Sequence, residues 1–249
     1  MTLILRALGV ALGLLIIWQA VILIFAPPAF MLPAPASVFA ALRDRPDLWR
    51  VHAVTTLEET VIGLAAGILV GAAFALAMSF LPITRRLLLP VLVVSQAIPV
   101  FAIAPLLALW FGFGLASKIV MATIAIFFPV TSAFADGLSR TDPGLLDLAQ
   151  LYRAKRWRVV SVLRIPGALP AFITGVRLAA VYAPVGALIG EWVGASSGLG
   201  YAMLFANSRS EAAVVFAALI LLVAMSVILR TIVDLLTANL TPWAPETAR

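Results

Sequence analysis

The stretch Asp147–Pro166, DLAQLYRAKRWRVVSVLRIP, decides the reading of this chain, because it places a basic, amphipathic insert between segments suited only to a bilayer. Arg153, Lys155, Arg156, Arg158 and Arg164 lie in it, and Arg140 lies just upstream. A segment this charged belongs in water, and the positive-inside tendency predicts that it faces the cytoplasm. Asp142-Pro143 suits a helix start, and Leu145, Leu146, Leu148, Ala149 and Leu151 give the short helix beyond it an apolar surface. Such a helix fits a groove on a partner subunit, with the cations meeting polar or acidic groups around it. An interfacial helix lying on anionic lipid is the alternative that the same residues allow.

Composition narrows the class around this insert. Of the 249 residues, 63% are hydrophobic and only 11% are charged, and the mean hydropathy is +1.13. Such a chain turns its outer surface to lipid. The excess of 17 Lys and Arg over 11 Asp and Glu does not indicate nucleic acid, because no hydrophilic domain exists to hold it and membrane loops carry cations for topological reasons. No cysteine is present, so disulfides and thiolate metal sites are excluded, and the lone His52 makes no metal cluster by itself. No G-x-x-x-x-G-K-[ST] loop and no Ser/His/Asp arrangement is present either. The chain therefore reads as neither an ATPase nor another enzyme, and no cofactor is expected.

Hydropathy predicts an all-α, polytopic membrane protein with about six spans, near 7–25, 55–80, 88–110, 118–137, 171–193 and 212–235. The apolar N-terminus has no A-x-A site close behind it and reads as a retained first span. The domain limits are then 1–54 for the first span and an interfacial segment, 55–240 for the core with its loop at 138–170, and 241–249 for a tail. In the interfacial segment Pro27, Pro28, Pro33 and Pro35 interrupt helices, and Ser37 is expected to cap a short one. With both termini in the cytoplasm, Arg85, Arg86, Arg140 and the basic insert lie inside, and Arg43, Arg45, Arg50, Lys118 and Arg209 lie outside. Gly63, Gly67 and Gly71 at intervals of four mark a face for close helix packing. Pro99, Pro105, Pro129 and Pro184 invite kinks, which membranes tolerate in buried helices and beside cavities.

Ionisable and polar groups at membrane depth each need a partner or a task. Glu58 and Glu59 are expected at the outer end of the second span, and Arg177 two turns into the fifth, where snorkelling would satisfy it. Glu191 is open between an interfacial carboxylate and a vestibule group. Gln96 and Tyr182 are open between helix-helix hydrogen bonding and lining a translocation path. Kinked spans with buried carboxylates also suit an ion-coupled secondary transporter.

The spacing of the insert resembles the cytoplasmic loop by which permease subunits of bacterial ABC importers dock on their ATPase, E-A-A-x3-G-x9-I-x-L-P. Asp147 stands for the Glu, Leu148 and Ala149 for the two Ala, Arg153 for the Gly, Leu163 for the Ile, and Ile165-Pro166 for Leu-Pro. Arg153 departs from the pattern, since Gly at that point permits φ > 0 or a close approach. The phrases FMLPAPASVFAAL, HAVTTLEETVIGLAAGILVG, QAIPVFAIAPLLALWFGFGLASKI, FFPVTSAFADGL and IGEWVGASSGLGY resemble, in order, the nitrate/sulfonate/taurine-type importer permeases. Within that family the run from Arg164 to Tyr201 is most similar to permeases for thiamine pyrimidine precursors, with an oxyanion importer as the alternative. The resemblance implies a type I permease fold in the bacterial inner membrane. It also implies a homodimeric core, two ATPase subunits, an extracytoplasmic solute-binding protein and transport by alternating access.

Overall fold

The computed structural model describes residues 2–80 and 82–243, apart from the side chains at 2–4, 6–8, 82, 85, 89, 91, 93 and 96. Its described elements are helical throughout: α1 (Thr2–Phe25), α2 (Pro35–Asp44), α3 (Pro46–Phe80), α4 (Pro82–Ala97), α5 (Val100–Phe111), α6 (Leu115–Ser139), α7 (Pro143–Leu151), α8 (Arg156–Arg158), a π-helical turn (Val159–Arg164), α9 (Ile165–Trp192), α10 (Leu199–Ser208) and α11 (Ala212–Thr237). The all-α expectation holds. Four of these stretches are long and apolar enough to cross a membrane: α3, α6, the run Arg156–Trp192 and α11. Shorter apolar helices lie at Gly9–Phe25 and in α5.

α6 sits at the centre, between α3 and α9, and small residues set how close the three come. Gly63, Gly67 and Gly71 of α3 face Ala122, Ile126 and Val130 of α6, so the packing face predicted from the interval of four is real. The other side of α6 meets Gly175, Gly186 and Gly190 of α9. A Cβ on Gly186 would lie 2.8 Å from the Cα of Ala122, and one on Gly175 would lie 2.9 Å from the carbonyl oxygen of Pro129. Backbone, not a yielding side chain, fills that space. α11 and α10 pack on the α9 side, and their buried Val214, Ala217, Ala218 and Leu222 join Val130, Ala179, Ala180 and Ala183 in the main core.

Three expectations need correction. The third span, 88–110, is two helices, α4 and α5, broken at Ile98 and Pro99. Proline lacks the donor that would continue the ladder and drives the preceding residue out of the α region, so an unbroken apolar run still breaks there. Pro105, Pro129 and Pro184 lie inside continuous helices. Ser37 does not cap α2. Ala34 holds the cap position, Pro35 takes the first helical place, and the Ser37 hydroxyl donates back to the Ala34 carbonyl at 2.7 Å. α3 starts at Pro46 rather than at 55, so the boundary drawn at 54 falls within a helix. The corner between α2 and α3 is closed by Trp49 Nε1, which donates to the Ala41 carbonyl at 2.9 Å, and by Arg45, paired with Glu211 at 3.0 Å.

The glycine seam gives a measurable expectation. Gly186→Val forces a branched side chain against backbone and is expected to destabilise the bundle by about 1–3 kcal/mol or more. Gly167→Val, with nothing within 4 Å of its Cβ position, is expected to be near neutral. Thermal unfolding midpoints of the two variants in one detergent check the contrast, and equal midpoints would remove the seam from the account of stability.

Candidate functional site: the loop helix and a buried charged cluster

The Asp147–Pro166 segment folds as a short helix, a tight turn and a second helical start. Asp142 caps α7, its carboxylate accepting from the Gly144 N–H at 2.7 Å, and Pro143 occupies the first turn. The helix ends in a Schellman pattern: Ala154 N–H donates to the Ala149 carbonyl at 2.8 Å and Arg153 N–H to the Gln150 carbonyl at 2.9 Å. That pattern needs a left-handed residue between them. Arg153 supplies it, at φ +47. The position at which the resembled loop has Gly thus keeps the conformation that Gly would adopt freely, and Arg holds it at a cost of about 1–2 kcal/mol.

The turn folds α7 back on the π-helical segment and leaves an apolar groove lined by Leu145, Leu148, Ala149, Tyr152, Val162 and Leu163, with Arg158 at its edge. Leu148 and Leu151 are 50% and 79% exposed, and Tyr152, Trp157 and Val162 are exposed with them. Asp147 is exposed on the same helix. Ile165 and Pro166 begin α9, so the loop passes directly into a long helix. Arg156 ties the loop to the bundle, its Nη2 donating to the Ser79 carbonyl at the end of α3 at 3.3 Å.

At the opposite end of the bundle lies a cluster the sequence did not reveal. Glu59, well inside α3 and not at its end, is 1% exposed and pairs with Lys118 of α6 at 3.0 Å. Lys118 is itself buried in the bundle and is not a solvated loop charge. Beside them Glu191, also 1% exposed, accepts from the Thr56 hydroxyl at 2.5 Å and from the Gly200 N–H at 2.5 Å. Thr56 Oγ1 accepts from the Leu199 N–H at 2.8 Å, and His52 Nδ1 from the Gly198 N–H at 3.0 Å. The orphan donors of the first turn of α10 are therefore satisfied by side chains of α3 and α9, with a carboxylate at the positive end of the helix dipole. Gly198, at φ +113, brings the chain so near Glu191 that a Cβ would strike the carboxylate.

The remaining residues singled out from sequence are scattered. Tyr182 on α9 is 54% exposed, and the side chain of Gln96 lies outside the described residues. Arg177 does not rely on snorkelling. It pairs with Asp234 of α11 at 2.7 Å, and Asp234 also accepts from Arg230 at 2.9 Å. The signal for the buried cluster was present only as the phrase GEWVGASSGLGY, whose glycines mark a tight return of the chain.

Burial of the Glu59–Lys118 pair makes its halves interdependent. Lys118→Met alone is expected to cost about 3–5 kcal/mol, because it strands a carboxylate in the core, while Lys118→Met with Glu59→Leu is expected to recover most of that loss. Unfolding of the two single variants and the double variant in detergent checks this, and additive losses would show that the pair does not act as a unit.

Comparison with known proteins fits this architecture. Residues 63–244 match the family described as Binding-protein-dependent transport system inner membrane component. A Probable ABC transporter permease protein of Haemophilus influenzae is 48% identical, with 89% of this chain and 90% of that protein aligned. The Formylaminopyrimidine transport permease protein ThiX of Halalkalibacterium halodurans is 34% identical over 92% of each chain, and the Taurine transport system permease protein TauC of Escherichia coli is 28% identical over 96% of this chain and 90% of its own. Among solved structures, the inward-facing MetNI methionine ABC transporter has a chain that matches with a TM-score of 0.68 at 20% identity, covering 79% of this chain and 99% of that one. The chain therefore belongs to the binding-protein-dependent ABC importer permeases of the nitrate/sulfonate/taurine type, a transport subunit of the inner membrane that works with an ATPase and a solute-binding protein.

Proposed function

We propose that two copies of this chain form the translocation path of an ATP-driven importer, and that each copy docks one ATPase subunit, a separate chain, on its Asp147–Pro166 loop. The observation that carries the reading is the apolar groove beside α7, open to solvent although nothing in the bundle requires it to be. Asp147, Leu148, Ala149, Arg153, Leu163, Ile165 and Pro166 are the residues assigned to this contact, on the spacing of the loop they resemble. In the proposed orientation both termini and this loop are cytoplasmic, and the Glu191 cluster faces the side from which the binding protein delivers solute. ATP binding moves the loops only in so far as the partner subunits bind one permease conformation more tightly than the other. The chain itself does no chemistry on the solute.

The solute we assign is a thiamine pyrimidine precursor. Relatives named for heterocycles, ThiX at 34% and the Riboflavin transport system permease protein RibX of Chloroflexus aurantiacus at 33%, stand above the 29% and 28% of SsuC of Bacillus subtilis and TauC. The electrostatics support the same choice. Arg177, the cation that an oxyanion path would draw on, is already paired with Asp234 and is largely buried. Tyr182, exposed on α9, offers a π face for such a ring, and Gln96 is proposed from its residue type alone as an amide for ring nitrogens. Glu191 serves this path by holding the start of α10.

Leu148→Asp or Ala149→Asp puts a charge into the docking contact and is expected to abolish ATP-driven uptake while leaving the permease inserted and at wild-type abundance. Uptake at the normal rate would refute the docking assignment. A strain unable to make the thiamine pyrimidine should need this permease to grow on trace precursor, and Tyr182→Ala should slow that growth more than Arg177→Gln. Unimpaired growth on deletion, with loss of an alkanesulfonate as sulfur source, would move the solute to the sulfonate branch.

A further inference from the structure

On the docking-loop side of the bundle, the ends of α3 and α6, α4 and the start of α9 enclose a pocket of about 330 Å³. That size suits a small solute. Met78 and Phe128 contribute apolar wall, and Ser79, Ser132, Asp136 and Arg164 contribute polar groups. Two buried polar atoms on its wall have no hydrogen bond. Ser79, more than nine-tenths buried, has an Oγ with no hydrogen bond, and the Nε of Arg164 is buried without one. Buried polar groups are paired in the great majority of cases, so two orphans on one pocket wall mark hydrogen bonds that something else completes.

The backbone supplies an independent sign. Arg164 is the last residue of the π-helical turn Val159–Arg164. The extra residue of such a turn rotates the helix beyond it by about one position, and π turns gather at functional sites. Arg164, at the end of this turn, lines the pocket. Asp136, exposed at the mouth, adds an acceptor beside the donors of Arg164 and Ser79.

We propose that this pocket is a solute site on the docking-loop side, binding a small donor–acceptor heterocycle of the aminopyrimidine class, with ring acceptors on Arg164 and Ser79 and the amino group on Asp136. The choice of class rests on the pyrimidine reading above; the existence of the site does not. Arg164 immediately precedes Ile165-Pro166, and Arg156 of the same loop already holds the Ser79 carbonyl. Solute in the pocket therefore touches both the end of α3 and the docking loop. Its occupancy changes the energy of moving one against the other, so internal solute is coupled to the ATPase contact.

The test uses the complete permease–ATPase complex in nanodiscs, without binding protein, titrated with labelled formylaminopyrimidine. Saturable binding is expected, weakened about threefold to tenfold by Ser79→Ala and more than tenfold by Arg164→Gln. Ser132→Phe, which puts a bulky ring into the pocket while leaving Ser79 and Arg164 in place, should abolish it. Because Arg164→Gln also sits beside the docking loop, the two serine variants decide the matter if that complex fails to assemble. Wild-type affinity in assembled Ser79→Ala and Ser132→Phe complexes overturns the site, as does absence of binding to a wild-type complex that still drives pyrimidine uptake in cells. Equal displacement of the label by taurine, a zwitterion with no ring, overturns the heterocycle class.

Discussion

Close approach of α3, α6 and α9 is the constraint on which the rest depends. Lipid tails are as apolar as the side chains they meet, so helices in a membrane gain little from exclusion of water and associate through packing and polar contacts. The glycines of α3 and α9 let both helices press their backbones onto α6, and the main core forms where α10 and α11 then close over α9. That same closeness makes the buried ion pair affordable: Lys118 lies against Gly190 of α9 and reaches Glu59 of α3 across a gap that larger residues would open.

Polar contacts in the bundle join elements distant in sequence, and each fixes a different level. Glu59 with Lys118 ties α3 to α6, Glu191 with Thr56 ties α9 to α3 and receives α10, and Arg177 with Asp234 ties α9 to α11. In a low-dielectric interior a half-satisfied charge is costly, so these contacts specify which helix faces which more sharply than apolar packing does. Tyr182, by contrast, remains exposed on an outward face of α9.

The helical class and the four long spans were legible because each is local: hydropathy over about twenty residues and a proline at a helix start. Asp142 followed by Pro143 named its own role, and the interval of four in Gly63, Gly67 and Gly71 named a packing face. The features that stayed hidden are non-local or conformational. Nothing near Lys118 announces Glu59, so a lysine at the edge of an apolar run reads as a solvated charge and not as half of a buried pair. Arg153 could be seen as a departure, but a sequence does not show whether the chain abandons the left-handed turn or forces arginine into it. The π-helical turn leaves no mark in VVSVLR, because an inserted residue alters hydrogen bonding and not composition. The break at Pro99 was masked by the apolar residues on both sides of it.

α9 then acquires a role that its length alone would not give it. It begins at Ile165, in the loop proposed to dock the ATPase, and runs without a non-helical residue to Trp192, about 42 Å by helix rise. Along that length it carries the α6 seam, the Arg177 contact with α11 and, at its far end, the Glu191 carboxylate that holds the first N–H groups of α10. Ile165 and Pro166 at one end and the carboxylate that holds Gly200 at the other are thus joined by one continuous, packed helix. The left-handed turn at Arg153, closed by a satisfied Schellman pattern, fixes the angle at which the chain leaves α7 toward α8 and the π-helical segment.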